Sequence, residues 1–553
     1  MTFRRLTGWA LAGLICLFAA PLVAQEEPDE TSAVDLPERD EEEDDDEALA
    51  VPGLRIDGSL AGEAHTFNNL DFRTLDESSD QAILESDDRD TFGFSSISVD
   101  LQYEPIDSVK LNVAANHSGL WGSDQIGGLA MPDRGEGGSA NFLWIYELNV
   151  EWEPIDNDEF GLDLVVGRHP FTIGGTEEDY FFDDIHDGAT LELDGRELGS
   201  VRLTAGFMGS NAEPRHVSFA RYSASGGTIQ GFRGDNNTYR LGGVYKTPEL
   251  FGGLEARAFG FYADIGASTG DNGTGADRSY AGALGNFSDE DYTWMGGLRA
   301  SYTHEADNYE IAGHAEFARS NGIDRKDTTV GLYDVNTEGY AFGLGARGEF
   351  DLGAVNLNAN IKAFRADGAQ YARGNGVQYN HGFTSMKGDE IGGLAIDRYA
   401  GWHPSAYVSD NGIDDMPHTV DRASGTQFLK GGVGVGNDNF GADLEVWHYM
   451  DNSNSSFDQS QADQVAGNLP FGYTQADLEA QERLGKSLGT ELDLSVNYRP
   501  NDFLVFYARG GYFIPSNFYE IEVDRTVAGD YTQLGSSDPA SFWSAAFGTS
   551  MRF

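Results

Sequence analysis

The chain has 553 residues, with 91 acidic against 36 basic side chains and a formal net charge of -55. Such a surface repels nucleic acid, and no basic stripe interrupts it. The one cysteine, Cys16, leaves no disulfide framework or cysteine metal site, and beyond the first residues no run of about 18 apolar residues offers a membrane helix.

Residues 1–24 carry Arg4 and Arg5, then an apolar run, then small residues ending at Ala24. That is the plan of a cleaved secretory signal peptide. Residues 25–50 form an acidic block with Arg39 as its one base. Few apolar groups and like-charge repulsion predict a disordered periplasmic tail. From Val51 to Phe553 the texture becomes alternating.

In 486–499, Leu488, Thr490, Leu492, Leu494, Val496 and Tyr498 share one face, with Glu491, Asp493, Ser495, Asn497 and Arg499 on the other. Period two with opposed faces is a strand wetted on one side. The unit recurs and predicts eighteen strands, near 52–66, 91–104, 107–118, 140–153, 160–169, 188–195, 198–209, 237–246, 252–265, 290–304, 307–319, 337–350, 354–366, 426–436, 439–450, 486–499, 502–514 and 541–553. Short turns follow the even strands and long loops the odd ones, the asymmetry of an outer-membrane barrel. Tyr103, Trp152, Phe160, Tyr245, Tyr302, Tyr309, Phe350, Phe440, Tyr498 and Phe503 flank the short turns on the apolar faces. They form the aromatic belt expected at a lipid headgroup layer. The fold class is therefore all-β, a transmembrane antiparallel up-and-down barrel over 51–553. Its last strand ends in Phe547, Met551 and Phe553 on one face, resembling the terminal signal read by the outer-membrane assembly machinery.

Eighteen strands leave room for an aqueous channel. Parity then assigns the lumen. Arg202, Arg240, Arg257 and Arg299 fall on four consecutive strands, and Arg347 and Lys362 continue this basic wall. Asp57, Glu63, Asp100, Glu147, Glu151, Asp443, Glu445, Glu491 and Asp493 form an acidic wall. Either the two walls orient charged solutes by a transverse field, or the charges solvate one another as cross-strand pairs.

The third long loop, 170–187, concentrates acids around three consecutive aromatics. Arg168, Glu177, Glu178, Asp179, Tyr180, Phe181, Phe182, Asp183, Asp184 and Asp187 are the candidate constriction, if the loop folds into the pore rather than lying outside as acidic surface. The string from Gly167 through Arg168, Gly174, Tyr180, Phe181, Asp183, Asp184 and Ile185 resembles the alginate-export family of outer-membrane channels. That resemblance implies an eighteen-stranded barrel with a basic pore for an anionic polysaccharide, although the loop here is strongly acidic.

The expected function is passive passage of small hydrophilic solutes or acidic sugar oligomers across the outer membrane of a Gram-negative bacterium. Lipid, lipopolysaccharide and the assembly machinery are the expected partners. An adhesion or scaffold barrel with a closed pore is the alternative. No cofactor or metal site is expected. The eleven histidines have no metal-ligand spacing, 271–277 lacks the closing Glu of a calcium loop, and Arg233-Gly234-Asp235 is a short match to an adhesion tripeptide. No nucleophile motif such as G-x-S-x-G points to an enzyme. N-terminal sequencing of protein extracted from the outer membrane is expected to begin near Gln25, and an intact Met1 there overturns the signal-peptide reading.

Overall fold

The computed structural model describes residues 53–68, 89–121, 140–174, 179–207, 239–250, 252–264, 292–328, 331–367, 371–374, 377–380, 382–383, 391–394, 426–452, 487–516 and 541–553. The signal and tail segments, Cys16, Arg233-Gly234-Asp235 and 271–277 lie outside them.

Twenty strands follow one another: β1 (Leu54–Asn68), β2 (Arg89–Ile106), β3 (Val109–Trp121), β4 (Ala140–Asp156), β5 (Gly161–Thr172), β6 (Asp183–Asp194), β7 (Ser200–Phe207), β8 (Tyr239–Lys246), β9 (Leu254–Asp264), β10 (Tyr292–Ala306), β11 (Tyr309–Thr328), β12 (Gly331–Asp351), β13 (Asn356–Ala366), β14 (Tyr371–Gly374), β15 (Val377–Asn380), β16 (Thr426–Asn437), β17 (Phe440–Asp451), β18 (Ser487–Asn501), β19 (Leu504–Pro515) and β20 (Phe542–Arg552). β14 and β15 form a hairpin inside a long loop, with β15 running parallel to 335–337 of β12. The other eighteen pair antiparallel with their neighbours, β13 with β16 included, and β20 returns to β1. All eighteen predicted strands are present, and the ring is closed. Closure satisfies every strand edge, which lipid requires because it offers no hydrogen bonds of its own.

The faces are inverted relative to a soluble protein. Leu298, Leu344, Ile361, Val433 and Phe547 are exposed on the outside, while Arg240, Arg299, Glu316 and Glu491 are buried inside. The outward band ends near the short turns in Tyr103, Trp152, Tyr245, Tyr302, Phe350, Phe440, Tyr498 and Phe503, all exposed. At three of these turns the ladder shifts register just past the aromatic, after Tyr103, Trp152 and Tyr498. Each shift brackets a proline (Pro105, Pro154 or Pro500), which has no N–H to give to the ladder.

Two connections are much shorter than the sequence reading makes them. β5 runs on to Thr172 and β6 starts at Asp183, so the connection shrinks to 173–182. β11 and β12 likewise pair out to Thr328 and from Gly331. Beyond the lipid both faces of a strand are wet, so polar residues no longer mark where a strand ends.

The seam joins the two ends of the barrel. Gly58 N–H donates to Phe553 O at 2.9 Å, and Phe553 N–H donates to Gly58 O at 3.0 Å. A Cβ on Gly58 would stand 2.6 Å from the Phe553 ring, so the glycine leaves the space in which the terminal ring lies. Phe547, Met551 and Phe553 all face outward and are exposed. Deleting Phe553, or replacing Gly58 by Val, is expected to lower the folded fraction seen as heat-modifiable gel mobility. Deleting residues 26–46 is expected to leave that fraction unchanged, and equal losses for tail and seam overturn the assignment.

Candidate functional site

The segment between β5 and β6 turns into the lumen and is fastened there by one carboxylate. Asp179 Oδ2 accepts the N–H groups of Ile173 at 2.7 Å and Gly174 at 3.1 Å, and Oδ1 accepts Phe182 N–H at 3.4 Å. One side chain thus closes the loop on itself. Gly174 has φ +77°, a left-handed conformation that glycine takes without steric cost. Gly175, Thr176, Glu177 and Glu178 lie outside the described residues.

Arg299 of β10 fastens the closed loop to the wall. Its guanidinium donates to Asp179 Oδ1 at 3.0 Å, to Gly174 O at 2.8 Å and to Glu316 Oε2 of β11 at 2.7 and 3.0 Å. All three charged side chains are buried. Removing such charges from water is costly, and the arrangement holds because the planar donor fork is engaged on both sides.

The aromatic triplet then crosses the lumen. Phe182 stacks on Phe261 of β9 at 4.4 Å. Phe181 meets Phe259 of β9 and Phe364 of β13 at 5.9 and 6.0 Å. Tyr180 meets Phe364 and Phe428 of β16 at 5.2 and 5.7 Å. From β5 to β16 is nine steps around the eighteen-strand ring, once the β14–β15 hairpin is set aside. The triplet is 0–1% exposed.

The basic wall serves this loop. Arg202 donates to Thr172 O at 2.8 Å and Ile173 O at 3.2 Å, and lies 5.0 Å over the Phe171 ring. Arg240 lies 4.5 Å over Phe182, and Lys362 lies 4.0 Å over Tyr180. A desolvated cation over an aromatic face contributes about 2 kcal/mol. Arg257 pairs with Glu255 at 3.2 Å, and Arg347 with Glu310 at 3.1 Å, so these two balance local acids. An open basic wall is therefore not what these six residues make. Four of them hold the loop, because an inward-folded segment needs donors for its carbonyls and faces for its rings.

The acidic wall is also engaged piece by piece. Asp57 pairs with Arg55 at 2.6 Å, Glu151 with Lys110 at 3.3 Å and Glu445 with Lys430 at 3.1 Å. Asp100 accepts from the Tyr146 hydroxyl at 2.8 Å, and Asp443 from Asn358 Nδ2 at 3.2 Å. Glu63 is buried between His65, 2.6 Å away, and the Tyr507 hydroxyl. Glu147 stands opposite Ala114 beside a bulge. Glu491 accepts from the Tyr449 hydroxyl at 2.7 Å, while Asp493 accepts Leu394 N–H at 3.2 Å. A second loop segment therefore reaches this wall, and Gly393 N–H also donates to Tyr449 at 2.7 Å. Phe383 of the same loop packs on Phe181 at 5.7 Å, so the two loops touch.

Four candidate constriction residues belong to the strands instead. Arg168 and Asp187 pair with each other across β5 and β6, 3.5 Å apart, on the outward face beside exposed Leu148. Asp183 has the parity of Asp187 and belongs to β6. Asp184 also belongs to β6, at the register position opposite Phe171. With β5 and β6 extended, these positions obey strand alternation and leave the loop. Gly167, at φ +126°, permits the close pairing with β4, where a Cβ would stand 2.3 Å from Leu148 O.

Glu316, Phe259, Phe261, Phe364 and Phe428, which complete the site, carried no local signal beyond strand parity. Their roles depend on which strands the loop reaches.

No family model matches the chain, and the comparison with curated proteins finds no match. Among solved structures the chain is similar to the outer membrane protein OprD from Pseudomonas aeruginosa, at 11% identity and TM-score 0.41, over 90% of this chain and 94% of that one. It is similar to OccAB4 from Acinetobacter baumannii at 9% identity and TM-score 0.42, over 90% and 98%. It is also similar to an anion-selective porin from Comamonas acidovorans at 10% identity and TM-score 0.35, over 90% and 99%. The resemblance to alginate-export channels stands on residues 167–185 alone.

Arg299→Met strands Asp179 and Glu316 without their buried partner. Loss of one member of a buried ion pair costs about 3–5 kcal/mol. Arg347→Met, at a half-exposed pair, is expected to cost about 1 kcal/mol or less. Denaturant unfolding of the folded barrel, with limited proteolysis of the loop, measures both. Equal costs overturn the clasp.

Proposed function

We propose that the barrel is an outer-membrane channel that passes small hydrophilic solutes, with 173–182 as its constriction. The observation that carries this reading is the clasp of Arg299, Asp179 and Glu316, which holds three aromatics across the lumen rather than outside it. A barrel whose loops served only external contacts has no use for a buried charged clasp in its interior. Below the loop the lumen is polar, with Lys246, Glu255, Arg347, Glu310, Lys110 and Glu151 partly exposed. Such a vestibule solvates ions and polar solutes.

Acidic sugar oligomers remain the solute suggested by the resemblance at 167–185. Arg202, Arg240, Arg299 and Lys362 lend it no support, because the loop occupies them. Arg257, Arg347 and Lys246, the bases of that side that do not hold the loop, are each paired with Glu255 or Glu310. On this reading the chain sits in the outer membrane of a Gram-negative bacterium among lipid and lipopolysaccharide, delivered by machinery that reads Phe553.

The complete burial of Tyr180, Phe181 and Phe182 favours a second reading, a scaffold or adhesion barrel with a closed pore. Planar-bilayer recording separates the two. The channel reading expects wild-type conductance, and a larger unitary conductance once Asp179→Ala with Arg299→Ala releases the loop. A folded barrel that conducts in neither form is a scaffold.

A further inference from the structure

We infer that the lower inner face of β13, β16, β17 and β18, the part next to the short turns, is a binding strip for uncharged polyhydroxylated solutes, that is, neutral sugars or polyols. The inference rests on the channel reading for access of the solute to the strip.

Asn356, Asn358 and Asn360 alternate along β13, on the face opposite outward-exposed Leu357 and Ile361. Across the ladder each meets a glycine: Gly436, Gly434 and Gly432 of β16. Gly436 in turn faces Gly441 of β17, which faces Asn497 of β18. Glycine inside a strand gives up packing and backbone entropy, so a row of them needs a reason such as close approach of another group. Here the approaching groups are the amides. A Cβ on Gly432 would stand 2.8 Å from Asn360 Nδ2, one on Gly434 2.4 Å from Asn358 Oδ1 and 2.0 Å from Asp443 Oδ1, and one on Gly441 2.7 Å from Asn497 Nδ2. The glycines let these side chains lie along the wall and keep the cross-section open.

The strip is chemically distinct from the rest of the vestibule. Among its asparagines and glycines Asp443 is the one carboxylate, and Asn358 already donates to it, while Glu445, Glu491 and Asp493 lie above on the same face of β17 and β18. At its upper end Lys430 and Glu445 cancel each other. On its β12 side the strip borders charged positions, Arg347 opposite Asn360 and Glu349 opposite Asn358, and farther round the vestibule is lined by Lys246, Glu255 and Arg257. An amide offers donors and an acceptor, the complement of a hydroxyl pair that needs both, and carries no charge to favour ions. Asn360 turns Oδ1 to the wall, where it meets no hydrogen-bond partner among the described residues. Rotation of that amide toward a solute hydroxyl relieves the unmet acceptor. Alternate residues of a strand stand about 6.6 Å apart, so successive amides address successive parts of an oligomer.

The test uses the full chain folded in detergent and in planar bilayers, with maltotriose as the neutral probe and a trimer of galacturonate as the acidic one. Wild type is expected to bind maltotriose saturably in detergent and to show maltotriose-dependent current block. Asn358→Leu with Asn360→Leu is expected to weaken maltotriose binding about tenfold, the loss of one to two solute hydrogen bonds, and to lower the neutral-to-acidic ratio of block. Gly434→Val, which displaces Asn358 and Asp443 from the wall, is expected to act in the same direction, and Asn360→Gln to retain part of the affinity. Heat-modifiable mobility confirms folding, and Asn360→Ala replaces any variant that does not fold. Absence of maltotriose binding to wild type, or equal binding to the amide variants, overturns the strip. Retained maltotriose binding in a barrel without ionic current overturns the channel reading and leaves the strip standing.

Discussion

Everything in this molecule depends on the requirement that backbone hydrogen bonds be made within the sheet. Lipid provides no donors or acceptors, so an open edge in the bilayer would leave a row of polar groups unsatisfied. The pairing of β1 with β20 removes that edge. Closure then creates an inside, and period two divides every strand between lipid and lumen. The short turns and the proline-marked bulges near Tyr103, Trp152 and Tyr498 are the ends of this arrangement at one membrane face.

The inside so created is roomy and polar, and a segment entering it must find partners there. The loop after β5 brings rings and backbone carbonyls, and the wall answers with Arg202, Arg240, Arg299 and Lys362. This explains why bases cluster on β7 to β10 and β13 in so acidic a chain. Buried guanidinium groups are tolerated because each meets carboxylates, carbonyls or aromatic faces rather than empty space. The same logic applies at Tyr449, Glu491 and Asp493, where the second loop supplies backbone N–H groups to an acidic patch.

Inward glycines are the complementary device. Where a long side chain must lie flat, the facing position on the next strand is glycine: Gly343 beside Glu316, Gly434 beside Asn358 and Asp443, Gly441 beside Asn497. Packing in this lumen is thus settled pair by pair along the ladder. What remains open differs by sector, charged along β8 to β12, amide-lined along the lower part of β13 to β18, and acidic above it at Glu445, Glu491 and Asp493.

Alternation in the sequence determined the number of strands, their order and the face of each residue, because lipid and water impose opposite demands on successive positions. It also marked the aromatic edge and the terminal Phe553. It did not determine where β5 and β6 end, since beyond the lipid both faces are wet and polar Asp183 or Asp187 fits a strand as well as a loop. Nor did it tell whether Arg240 and Lys362 face solute or ring, because both are inward by parity. That was decided by tertiary structure alone. Asp179 finds Arg299 across 120 residues of chain, and Tyr180 finds Phe428 across still more. Such contacts depend on how far a loop reaches across a closed ring, a distance that no local pattern encodes.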